Sequence, residues 1–132
     1  MIITVNDYQR LKGFTELASL KTKMPGVTER LVKSLATAKL LPQKEISRSI
    51  ITMNSRVKLK DLKNGREAEV TITYPQDAEP RERRISVFSD IGLALLGRKE
   101  NDIVLWRVPT GVGKFQIEKV TYQPEAEGDY FL

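Results

Sequence analysis

The apolar residues of this 132-residue chain change their spacing once, and the change sets the fold class. Up to Pro42 they recur at three- and four-residue steps, first Tyr8, Leu11, Phe14, Leu17 and Ala18, then Leu31, Leu35, Ala38 and Leu41. Such steps line one face of a helix. From Ile50 onward they alternate, most cleanly at Ala68, Val70, Ile72 and Tyr74 between Glu67, Glu69, Thr71 and Thr73. Alternation puts the apolar side chains on one face of a strand. The expected class is α+β, with helices first and a sheet after them.

Local signals place the elements. Asn6 is expected to cap a first helix, with Gln9 three residues on, and that helix runs to about Leu20. Lys21 to Val27 holds Pro25 and Gly26 and breaks the pattern. Thr28 is the expected cap of helix two, Glu29 sits in its first turn, and Pro42 ends it. Two helices joined by a short connection pack antiparallel, so residues 1–46 form a short helical hairpin. It buries too little apolar surface to stand alone and leans on the sheet.

Residues 47–132 read as a mostly antiparallel sheet of four or five strands with one packed helix. Ile50–Met53 and Val57–Leu59 are strand segments, Asn64-Gly65 a hairpin turn, and Ile85 and Val87 a further alternating pair. Ser89 or Asp90 caps a two-turn apolar helix that Gly97 ends. Ile103–Val108, apolar on both faces, is expected to be a central strand. From Phe115 to Tyr122 the apolar parity switches, which requires a bulge near Glu118 or Lys119.

What the chain lacks narrows its chemistry. It has no cysteine and no histidine, so disulfides, thiolate metal sites and every imidazole-based mechanism are excluded. Carboxylate sites for a hard cation and serine-lysine chemistry remain. There is no run of about 18 apolar residues and no leader-like start, so the chain is expected in the cytoplasm, away from membranes. Charge is uneven: residues 1–49 hold nine Lys and Arg against four Asp and Glu, while the rest carries thirteen of each. The whole formal charge of +5 therefore sits in the first third of the chain.

The segment Ser89-Asp90-Ile91-Gly92-Leu93-Ala94-Leu95-Leu96-Gly97, the strand pair after it, Thr52-Met53-Asn54-Ser55-Arg56-Val57 and the closing Tyr122–Leu132 together resemble the Gre family of bacterial transcription elongation factors, in a short-hairpin form. The likeness covers most of residues 50–132, and residues 1–49 in layout. It implies an FKBP-like carboxyl domain that docks on bacterial RNA polymerase at the rim of the secondary channel, and a coiled-coil hairpin pointing inward. In the family, the loop before the helix contributes to docking and carries a small residue followed by proline. The matching residues here are Ser89 and Asp90, so aspartate replaces the proline, and Phe88, Ser89, Asp90 and Ile91 are the candidate docking residues.

In cleaving relatives an acidic pair at the hairpin tip helps to hold a catalytic magnesium, because a hard dication takes carboxylate oxygens. The tip here offers Lys21, Lys23, Met24 and Glu29, one acid among cations. The expectation is a monomeric, non-catalytic polymerase regulator with no cofactor and no metal, competing with cleavage factors. Two other functions are weighed against it: a cleavage factor using Glu29 and Glu16, and a nucleic-acid-binding module using the basic hairpin.

Three further features have plainer explanations. Thr110-Gly111-Val112-Gly113-Lys114 lacks the spacing and following helix of a phosphate loop, and is a hairpin turn. Arg81, Arg83 and Arg84 lie beside Glu79 and Glu82 without interleaved aromatics, as on a solvated face. Trp106 lies in an apolar strand and belongs to the core.

Overall fold

The computed structural model describes residues 1–21 and 25–130, and side chains outside 17–25. The chain begins with a strand that the helical periodicity hides. β1 (Ile2–Thr4) pairs in parallel with β2 (Lys39–Leu41), and α1 (Val5–Lys21) and α2 (Pro25–Ala36) lie between them. β-branched Ile2 and Ile3 suit a strand, and Ile3 is fully buried. The strand runs straight into the helix, so the cap is Thr4 and not Asn6: the Asp7 N–H donates to Thr4 Oγ1 at 3.0 Å.

Helix two departs from expectation at both ends. It starts at Pro25, since a proline in the first turn gives up an N–H that has no helical partner. Thr28, the expected cap, is buried inside the helix. At the other end the helix stops at Ala36 rather than before Pro42, because Lys39–Leu41 satisfies its backbone against β1. The side chains of Leu17 and Ala18 in the predicted stripe lie outside the described residues, while Leu11 and Leu31 are fully buried.

The main sheet has five strands in the order β5-β4-β3-β7-β6, formed by β3 (Arg56–Asp61), β4 (Glu67–Thr73), β5 (Arg84–Ser86), β6 (Ile103–Val108) and β7 (Gly111–Tyr122). Every pairing is antiparallel except β4 with β5. α3 (Asp90–Leu95) connects β5 to β6 and packs on the inner face. The β3–β4 hairpin turns through Leu62–Gly65, with Gly65 at φ +73°. Along β7 the register slips between Lys58↔Lys119 and Leu59↔Ile117, leaving Glu118 as the bulge that the parity switch requires. A second slip leaves Thr121 unpaired between Val120 and Tyr122.

Two strand expectations are corrected. Ile50–Met53 is buried but belongs to no strand, and its backbone instead holds the end of α3: Ile51 N–H donates to Arg98 O at 2.8 Å, and Gly97 N–H to Ile51 O at 2.9 Å. Ile103–Val108 forms an edge strand and not a central one. The twelve-residue β7 pairs with β3 on one side and β6 on the other, which pushes β6 outward. Ile103 and Leu105 are accordingly 52% and 60% exposed.

One hydrophobic cluster joins Ile3, Leu11, Leu31 and Leu35 to Ile51, Met53, Val57, Ile72, Tyr74, Leu95 and Ile117. Each such side chain contributes about 1.5–3 kcal/mol on burial. The helical pair therefore leans on the sheet, as short helices require.

Candidate functional site

The loop before α3 is locked by its own serines. Ser89 Oγ accepts the Gly92 N–H at 3.1 Å and donates to Ser86 O at 2.6 Å, while Ser86 Oγ accepts the Phe88 N–H at 3.0 Å. Ser89 is thus the helix cap, and Asp90 is the first helical residue. Gly92 lets α3 lie against the β5 end, because a Cβ there would come within 2.3 Å of Ser86 O. Phe88 is half-buried against the core, and Ile91 faces a cavity beside the loop.

That cavity, of about 410 Å³, lies between α3 and the inner face of the sheet. Leu59, Val70, Ile85, Ile91, Trp106 and Phe115 form its apolar wall, and Asp61, Asn64, Arg66 and Glu67 supply polar lining. Trp106 and Phe115 stack with centroids 3.8 Å apart. Trp106 is therefore both core, as expected, and cavity wall. The sequence reading missed the cavity, whose only signal is the alternation that puts these side chains on one face. Its form suits an apolar side chain presented by a partner.

Asp90 does not stand free. Its Oδ1 accepts from Arg30 Nη1 of α2 at 2.7 Å, so the loop and the helical pair are tied together. Of the tip candidates, Lys23 and Met24 lie outside the described residues, as does the side chain of Lys21, the last residue of α1. Glu29 is exposed on α2 and Glu16 on α1. Among the described residues no three acidic side chains are grouped so that they could hold a metal ion.

A second cluster, missed from sequence, joins the start of α1 to the sheet and the tail. Asp7 Oδ2 accepts the Met53 N–H at 3.1 Å, and Glu125 Oε1 accepts the Thr52 hydroxyl at 2.6 Å. Both carboxylates are buried. Burial first, and then the nearby Glu125 charge, push the Asp7 carboxyl up to about 7. Burial also raises the Tyr74 phenol, over whose ring the Arg10 guanidinium sits at 4.1 Å. The tail strap is completed by Gln123 Nε2, which donates to Ser47 O and Ile50 O, both at 2.7 Å.

The remaining motifs line neither the cavity nor the Asp7 cluster. Thr110 to Lys114 is the β6–β7 turn and the strand leaving it. Arg83 and Arg84 line a surface groove with Arg56, Glu69 and Glu82, and Arg81 is not among its walls. Arg84 is paired with Glu82.

Residues 46–122 match the family described as "Transcription elongation factor, GreA/GreB, C-term". The chain is 35% identical to "Regulator of nucleoside diphosphate kinase" of Escherichia coli K12 over 107 residues, 80% of this chain and 79% of that protein. It is 35% identical to "Transcription elongation factor GreA" of Clostridioides difficile over 108 residues, 80% of this chain and 68% of that one. The solved structure "Prokaryotic transcription elongation factor GreA/GreB from Nitrosomonas europaea" superposes with a TM-score of 0.80 at 32% identity, covering 92% of this chain and 99% of the other.

Proposed function

This chain belongs to the GreA/GreB transcription elongation factor family, and we propose that it is a non-catalytic regulator of bacterial RNA polymerase. Residues 47–132 are the docking platform and residues 1–46 a short basic prong placed at the secondary-channel rim. There it excludes cleavage factors and leaves the RNA uncut. It works in the cytoplasm, where its partner is.

The observation that carries this proposal is the continuity of the apolar cavity with the Phe88–Ile91 loop through Ile91. A projecting apolar side chain of the polymerase rim fills the cavity, while Ser89 and Asp90 meet polar groups beside it. Two facts support the prong. At 1.5 Å per residue, the seventeen residues of α1 extend only about 25 Å from their base. The charge on residues 1–49 is basic, and a site for magnesium needs carboxylates.

Binding of the full chain to core polymerase tests docking. Binding is expected to survive a salt concentration that strips the chain from bare RNA, and to be lost on Ile91→Lys. Equal loss of polymerase and RNA binding with salt would favour a general nucleic-acid module instead.

A further inference from the structure

The outer face of the sheet, opposite the cavity, has an apolar strip at its open edge. Ile103, Leu105 and Val112 are 52%, 60% and 58% exposed. They are neighbours: Ile103 and Leu105 are two apart on β6, and Val112 on β7 lies diagonal to Leu105, since Leu105 pairs with Lys114 and Arg107 with Val112. No strand covers the outer side of β6 among the described residues. An edge of this kind presents alternate backbone N–H and C=O groups to whatever approaches.

Charge on this face selects the partner. The six outward positions here are Ile103, Leu105 and Arg107 on β6 and Val112, Lys114 and Gln116 on β7. Three are apolar, two are basic and none is acidic. Neither Arg107 nor Lys114 makes an ion pair among the described residues. A second copy added along β6 would bring four cations onto one joint face, which like-charge repulsion disfavours. An acidic partner meets no such penalty.

We propose that β6 is a strand-addition site for an extended protein segment whose every second residue, the set facing outward beside Leu105 and Arg107, is by turns apolar and acidic. The segment's backbone pairs with the open edge, its apolar side chains cover Leu105 and its carboxylates meet Arg107 and Lys114. Because this face is opposite the cavity, such a partner binds independently of docking on polymerase, and the chain bridges the two.

The test uses the full chain and a capped nine-residue peptide in which threonine fills every other position and valine and glutamate take turns at the positions between, so that both lie on one face of the added strand. Calorimetric titration reads affinity, and hydrogen exchange of the Ile103–Val108 amides reads the place of binding. The expected result is saturable binding that slows exchange on β6. Binding weakens about tenfold or more, equivalent to about 1.4 kcal/mol, when lysine replaces the peptide glutamates or in Leu105→Lys. Leu105 is exposed, so that variant folds, and its polymerase binding is unchanged. The proposal is overturned by absent binding, by equal binding of both peptides, by protection elsewhere than β6, or by a chain that dimerises through this edge without peptide.

Discussion

Arg30 on α2 and Asp90 at the start of α3, sixty residues apart in sequence, hold their charged groups 2.7 Å apart and so join the helical pair to the loop beside the cavity. Both side chains are about half exposed, at 56% and 44%. An ion pair in that setting contributes only about 0–1 kcal/mol to stability. Its effect is to orient one element on another.

Arg30→Ala is therefore expected to lower unfolding free energy by less than about 1 kcal/mol in urea titrations. Asp90→Lys is expected to weaken polymerase binding more than it weakens the fold. The charge-reversed pair, Arg30→Glu with Asp90→Lys, separates the two roles of Asp90. Restored polymerase binding assigns it to the tie alone, whereas continued loss assigns it a contact on polymerase.

Gly92→Ala is expected to cost about 2 kcal/mol or more, because the new methyl meets the Ser86 carbonyl oxygen of the backbone rather than a yielding side chain. Urea unfolding measures it. A loss below about 0.5 kcal/mol would show that α3 lifts from β5 without strain.

Asp7 gives the chain a pH dependence with a definite sign. Its ordinary value is 3.8 and its folded value about 7, so the folded state holds the proton more tightly. The groups around it are Arg10 on α1, Tyr74 at the end of β4, and Glu125 on the tail. Stability from this residue is complete below about pH 4, declines as pH rises and levels off above about pH 7, for a total on the order of a few kcal/mol. Asp7→Asn keeps an oxygen for the Met53 N–H and is expected to flatten that slope in unfolding curves taken from pH 5 to pH 8. An unchanged slope would place the titration on another group.

The sheet is legible in the sequence because its signals are local. Alternation at Ala68–Tyr74 marks β4, and the parity switch after Ile117 marks the Glu118 bulge. The features that escape a sequence reading depend on distant partners. Ile2–Thr4 is a strand only because Lys39–Leu41 returns beside it, and that return ends α2 five residues early. Ile103–Val108 reads the same at a centre or an edge, and strand order alone decides it. In the candidate site, Ser89 as cap is readable from its neighbours. The Arg30–Asp90 tie and the Asp7–Glu125 cluster join residues far apart in sequence, and spacing carries no trace of them, while the cavity leaves only the alternation that puts its wall residues on one face.

Occupation of the polymerase rim without cutting of RNA is tested most directly by RNA length in a backtracked elongation complex with magnesium, given this protein alone and then together with a cleaving GreA. The predicted result is no shortening with this protein alone and a dose-dependent slowing of cleavage by GreA. Shortening by this protein alone that disappears in Glu29→Ala would contradict a non-catalytic role.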